Sequence, residues 1–146
     1  YLNRPEENAT HLRDSWFRTG DVGYMDDEGY FFLVDRVKDL IICSGYNVYP
    51  RMVEEAIYLH PAVAEVTVIG IPDDYRGESP KAFIKLKEGE QLTESEMSTF
   101  LEDKLSKIEL PSEIEFRAEL PKTIIGKLSK KELVAEEAAK RHGAQA

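Results

Sequence analysis

An α+β domain is predicted for most of this 146-residue chain: a small antiparallel or mixed sheet packed with about three helices, preceded by a β-hairpin remnant of an upstream domain. Three observations predict it. VGYMDDEGYFFLV, residues 22–34, sets the turn signal Asp26-Asp27-Glu28-Gly29 between runs rich in Val, Tyr and Phe. VAEVTVIGI and KAFIKLK, 63–71 and 81–87, read as successive strands. Thr93 with Glu96, and Ser129 with Glu132, are spaced as capping boxes ahead of helical segments.

The elements follow in order. A lone hairpin is marginal in water, so residues 22–34 need a sheet that the rest of the chain does not offer. Residues 1–35 are therefore read as the end of a preceding domain, and 36–146 as a domain of ordinary size. Leu40–Ile42 is a short apolar strand, Ser44–Asn47 a turn, and Pro50 opens a helix running to about Leu59 whose buried stripe is Val53, Ala56 and Ile57. Val63–Ile71 is a β-branched strand stopped by Pro72 and the turn cluster PDDYRG. In KAFIKLK, Ala82, Ile84 and Leu86 share one face and the lysines with Phe83 the other, which predicts a half-buried strand antiparallel to its predecessor. The helix after Thr93 is expected to place Met97, Phe100, Leu101, Leu105 and Ile108 on one face. Ile114 and Phe116 mark a third strand, a loop spans Leu120–Lys127, and an Ala-, Glu- and Lys-rich helix ends the chain.

Composition narrows the class. With 42% hydrophobic and 32% charged residues and a net charge of -9, the chain is a globular protein without the basic face that nucleic acid requires. Nothing approaches the roughly 20 apolar residues of a membrane span, and YLNRPEENAT has no signal-peptide pattern, so a cytoplasmic location is expected. No methionine opens the chain, and its first residues read as the middle of a longer polypeptide. Cys43 has no partner for a disulfide and reads as a small core residue. His11, His60 and His142 are too scattered to predict a metal site, and Asp26-Asp27 and Asp73-Asp74 are turn residues.

Against that acidic background, LPKTIIGKLSKKEL (120–133) carries Lys122, Lys127, Lys130 and Lys131. Pro121 and Gly126 permit a loop shape that presents Lys127 just before a helix N-terminus, where a phosphate or carboxylate would be received. A solvated loop lysine is the commoner fate of a Gly-Lys pair, and the Walker pattern fails at Pro121 and Leu128. In FRTGD, 17–21, Asp21 offers two acceptors beside a glycine bend, as acidic residues do toward ribose hydroxyls. In DRVKDLIICSGYN, 35–47, Arg36 supplies a planar donor fork and Ser44-Gly45 an open backbone. Each of these is also an ordinary surface turn when taken alone.

Taken together and in order, FRTGD, DRVKDLIICSGYNVYP, IPDDYRGE and LPKTIIGK resemble the adenylate-forming (AMP-binding) superfamily, and the likeness is nearest to long-chain fatty-acid CoA ligases. The resemblance implies that 1–35 end a large N-terminal AMP-binding domain and 36–146 form the C-terminal lid. It implies an enzyme that activates a fatty acid or other carboxylate with ATP and Mg2+ to an acyl-adenylate, then transfers the acyl group to CoA. It assigns Asp21 and Arg36 to the nucleotide, Lys38 to the hinge, Ser44, Gly45 and Arg76 to CoA, and Lys127 to catalysis of adenylation. Ile42 replaces the lysine that luciferases use in their oxidative step, and Asn47 an arginine that some medium-chain synthetases place at CoA.

The expectation is thus the C-terminal fragment of an acyl-CoA synthetase, inactive alone because the triphosphate grip, the metal ligands and the acyl pocket lie upstream. An adenylation domain loading a carrier protein, or a non-enzymatic nucleotide-binding module, are the rivals. Peripheral membrane association of the full enzyme, and self-association of this chain through residues 1–34, are both open at this point.

Overall fold

The computed structural model describes residues 2–144. The chain forms two compact units that divide between Lys38 and Asp39.

In the first unit, α1 (Pro5–His11) is followed by the two-residue strands β1 (Leu12–Arg13) and β2 (Trp16–Phe17), none of which the sequence pattern had signalled. The expected hairpin is present as β3 (Asp21–Met25) and β4 (Phe31–Arg36), antiparallel in the register Asp21↔Arg36 to Met25↔Phe31. Its turn is built by Asp26, whose Oδ1 accepts from the backbone N–H groups of Glu28 (3.0 Å) and Tyr30 (2.9 Å). Gly23 sits at a bulge where a Cβ would stand 2.5 Å from the Phe32 carbonyl oxygen, so only glycine fits. No described residue of this unit is buried, and Trp16, Phe31 and Leu33 stand open to solvent.

The second unit holds β5 (Ile41–Cys43), β6 (Tyr46–Val48), α2 (Pro50–Tyr58), β7 (Val63–Asp73), β8 (Gly77–Leu86), α3 (Glu94–Leu101), β9 (Glu113–Phe116) and α4 (Lys130–Ala144). The sheet runs β6-β5-β8-β7, and β9 pairs in parallel with Lys81–Ile84 of β8. The α+β expectation is met, with α2, α3 and α4 as its three helices.

Period-2 alternation along β7 and β8 sends side chains to two separate cores. Val66, Val68, Ala82 and Ile84 pack with Val53 and Ile57 of α2 and Met97 and Leu101 of α3. Ile69, Ile71 and Phe83 pack instead with Leu120 and with Leu133 of α4. Both faces are therefore covered, which corrects the half-buried reading of β8: Phe83 and Lys81 are as hidden as Ala82 and Ile84.

Three boundaries also differ from expectation. Tyr46–Val48 is a strand, not turn, because only Ser44 (φ 52°) and Gly45 (φ 81°) are needed to reverse the chain in a two-residue type I′ turn. β7 continues through Pro72, which pairs with Glu78. On this edge strand Val66 and Val68 point their N–H groups away from β8, to Tyr58 Oη (3.2 Å) and Glu54 Oε1 (2.9 Å) of α2. Pro72 has the same parity, so its missing donor falls on the open side. Finally, α3 ends at Leu101 rather than continuing, and a separate turn restarts at Ser106, where Glu109 Oε2 accepts from the Ser106 N–H (2.9 Å) and hydroxyl (2.6 Å). Leu105 and Ile108 still pack on the core from that turn.

The Thr93 capping box is formed: Thr93 Oγ1 accepts from Glu96 N–H (3.2 Å) and Glu96 Oε2 accepts from Thr93 N–H (2.8 Å). The hydrogen bonds that the Glu96 carboxylate accepts from the Thr93 N–H and hydroxyl hold it below the ordinary glutamate range. Thr93→Ala is expected to cost about 1 kcal/mol in urea unfolding, because the N–H it satisfied returns to water and helix α3 loses its start. No described helix is long and apolar enough to cross a membrane.

Candidate functional site

The β3–β4 register makes Asp21 and Arg36 direct cross-strand partners, with Arg36 Nε 3.6 Å from Asp21 Oδ1. The chain enters β3 through Gly20 (φ 80°), and Thr19 Oγ1 accepts from the Asp21 N–H at 3.1 Å, which sets the carboxylate at the strand's beginning. Asp21 also borders an open cleft of about 630 Å³ lined by His11, Phe17, Thr19 and Gly20 among others. An exposed carboxylate next to an exposed guanidinium offers acceptors for a diol and donors for an anion in one place. Lys38 lies one residue beyond Val37 in a 3-10 turn (Val37–Asp39), solvent-exposed, where the two compact units divide.

Ser44, Gly45 and Arg76 are brought together in the second unit. The Ser44 N–H donates to the Arg76 carbonyl at 2.7 Å, which ties the β5–β6 turn to the β7–β8 turn. The latter is shaped by Asp73, whose Oδ1 accepts from the N–H groups of Arg76 (2.8 Å) and Tyr75 (3.0 Å). Those two donors, Arg76 first, hold the Asp73 carboxyl below the usual range. Beside it opens a cleft of about 500 Å³ lined by Asp73, Tyr75, Arg76, Lys107, Pro111 and Ser112. Tyr75 is 94% exposed. Lys107 and Tyr75 were missed by the sequence reading; Lys107 reaches this cleft only because α3 stops early and the chain turns at Ser106.

Lys127 lies in a loop of the second unit, between β9 and α4. Its loop closes on itself: Lys122 bridges Leu128, and Thr123 N–H donates to the Lys127 carbonyl at 2.7 Å. Gly126 N–H donates to the Thr123 carbonyl at 2.8 Å, and Lys127 N–H to Thr123 Oγ1 at 3.2 Å. Gly126 adopts φ +79°, the conformation for which a glycine was expected there. Of the other lysines of the segment, Lys122 pairs with Glu65 at 2.6 Å, and Lys130 is half-buried against Glu54 at 3.0 Å. The Lys127 side chain is exposed and enters no ion pair among the described residues.

Among the described residues no three His, Cys, Asp or Glu side chains converge to hold a metal ion. The side chain of His142 lies outside the described residues.

The second unit, with its two cores, carries an exposed loop lysine, and the hairpin of the first unit bears an Asp–Arg couple. Residues 52–127 match the model of the AMP-binding enzyme C-terminal domain, and the chain belongs to that family. It is 51% identical over 142 residues to the long-chain-fatty-acid–CoA ligase of Bacillus subtilis strain 168, an alignment covering 97% of this chain and 25% of the ligase. It is 44% identical over 133 residues to the 2-succinylbenzoate–CoA ligase of Bacillus cereus strain Q1, covering 91% and 27%. Among solved structures, ATP-bound MatB from Rhodopseudomonas palustris superposes with a TM-score of 0.86 at 34% identity over 93% of this chain and 27% of MatB. The chain thus spans about a quarter of the length of these relatives.

Proposed function

We propose that this chain is the C-terminal part of an ATP-dependent acid–thiol ligase that converts a long-chain fatty acid to its acyl-adenylate and then to the acyl-CoA thioester. The observation that carries the reading is the 51% identity to a long-chain-fatty-acid–CoA ligase along 97% of the chain. The geometry supports it by grouping the candidate residues as the chemistry would use them. Asp21 takes the ribose hydroxyls and Arg36 the ribose and phosphate; Ser44 and Gly45 line the path of the pantetheine, and Arg76 meets the CoA nucleotide. Lys127 stabilises the adenylation transition state, and Lys38 is the hinge, a role supported by the division of the compact units directly after it. Residues 1–35 close the large AMP-binding domain and 36–146 form the lid. Mg2+ and the triphosphate are held mainly by upstream residues. The reaction takes place in the cytoplasm, where ATP and CoA are supplied.

The test uses the full-length enzyme in two assays, pyrophosphate exchange and thioester formation. A long-chain fatty acid with CoA is expected to support both, and the isolated 146-residue chain neither. Exchange with 2-succinylbenzoate but not with fatty acids would overturn the substrate class. Loading of a carrier protein in place of CoA would overturn the acceptor, and turnover by the isolated chain would overturn its dependence on the upstream domain.

A further inference from the structure

We infer that Ile124 and Ile125 are positioning residues: a rigid apolar tip that seats on the upstream part of the same polypeptide during acyl-adenylate formation and so fixes the Lys127 ammonium. The inference rests on the role proposed for Lys127.

Ile124 is fully exposed and Ile125 is 78% exposed. Nothing in the loop's own construction calls for them. The reversal is accomplished by Thr123, through its carbonyl and hydroxyl oxygens, and by Gly126 with its positive φ. Turn positions ordinarily favour Gly, Asn, Asp or Ser, whose small or polar side chains suit a solvated bend. Two adjacent β-branched aliphatics here hold apolar surface in water with no local return.

The foot of the loop is fixed where the tip is free. Leu120 is buried in the second core with Phe83 and Leu133, Leu128 packs against that cluster, and Lys122 is paired with Glu65. Ser129 N–H donates to the Pro121 carbonyl at 2.8 Å and closes the base. Lys127 lies between foot and tip. A contact made by the two isoleucines is therefore transmitted to Lys127 through a hydrogen-bonded frame.

The occupant follows from size. Two isoleucines are a small fraction of the roughly 800 Å² per partner that a stable interface between separate proteins buries. They are ample to bias a tethered domain, whose association is already intramolecular. The relatives are about four times as long as this chain, so the surface that receives the tip belongs to the same polypeptide.

The test is the full-length enzyme carrying Ile124→Ser and Ile125→Ser together. The maximal rate of pyrophosphate exchange is expected to fall roughly 10- to 100-fold, the loss that a misplacement near 1 Å produces, with the KM for ATP little changed. Thioester formation from supplied acyl-adenylate and the melting temperature should match the unmodified enzyme, and Ile124→Val with Ile125→Val should restore exchange. Exchange at the unmodified rate in the serine variant, while Lys127→Ala lacks it, would overturn the positioning role alone. Equal loss in both half-reactions, or a lowered melting temperature that accounts for the loss, would also overturn it. Full exchange in Lys127→Ala would remove the underlying reading and the inference with it.

Discussion

Lys127→Ala in the full-length enzyme is expected to slow pyrophosphate exchange by about 10²- to 10³-fold while leaving thioester formation from supplied acyl-adenylate within a few fold. Attack of a carboxylate on the α-phosphorus brings two anions together and spreads negative charge over the phosphoryl oxygens. An ammonium already in place stabilises that charge more than it stabilises the separated substrates. The lysine is suited to this because its loop is closed by backbone hydrogen bonds and its side chain is not committed to any carboxylate of the described chain, unlike Lys122 and Lys130. Thioester formation attacks the acyl carbon and not the phosphorus, so the charge that Lys127 is proposed to meet on the attacked phosphoryl group does not build up in that step. Lys127→Arg should recover only part of the exchange rate, because a planar fork does not replace a compact charge. Equal loss in the two half-reactions would sink the assignment.

The largest effect on stability is expected at Lys81. Its side chain is 7% exposed, and Nζ lies 2.8 Å from Glu113, 3.1 Å from Glu115 and 3.1 Å from Glu137 of α4. Phe83 packs beneath, its centroid 5.2 Å from Lys81 Nζ and 4.7 Å from Arg117 Cζ. Removing one partner of a buried ion pair usually costs about 3 to 5 kcal/mol, because the remaining charge is left uncompensated. Here Glu113 is half-exposed, and Lys140 and Arg117 still serve Glu137 and Glu115, so Lys81→Met is expected near the lower end, about 3 kcal/mol. A urea midpoint equal to that of the unmodified chain would refute it.

The same network sets the acid limit. Burial pushes the Glu115 carboxyl up, but hydrogen bonds from Arg117, Lys81 and Lys140 more than offset this and bring it from 4.5 to about 2. The Glu137 carboxyl is lowered in the same way, against its own burial. A carboxyl with a depressed folded pKa binds protons more readily when unfolded. Its contribution is therefore fully present above about pH 4.5 and lost as the pH falls toward about 2. The urea midpoint should decline over that window.

Much of the second unit was legible because local rules and tertiary packing agree there. Val53, Ala56 and Ile57 lie at helical spacing and are all buried, and the Thr93 box starts a helix where it should. The failures have physical causes. Leu105 and Ile108 continue the helical period and do reach the core, but from a separate turn, and periodicity cannot distinguish the two routes. Lys81 looked like a solvent-facing lysine because sequence does not reveal that α4 would supply Glu137 to meet it. α4 in turn looked merely polar, since its buried face includes that same glutamate. At the candidate site, each motif alone was an ordinary turn. Their order along the chain suggested a common purpose, yet only the strand register puts Asp21 beside Arg36, and only the β5–β8 pairing at Cys43↔Gly77, extended by one backbone hydrogen bond, puts Ser44 beside Arg76.

That hydrogen bond from Ser44 to Arg76 has a bearing on how such domains can be recombined. It makes the β5–β6 turn and the β7–β8 turn a single structural block, although they lie some thirty residues apart in the chain. A crossover placed between residues 48 and 73 would separate a turn from the one it was shaped against. Any exchange of these turns between relatives is then best made by moving both together.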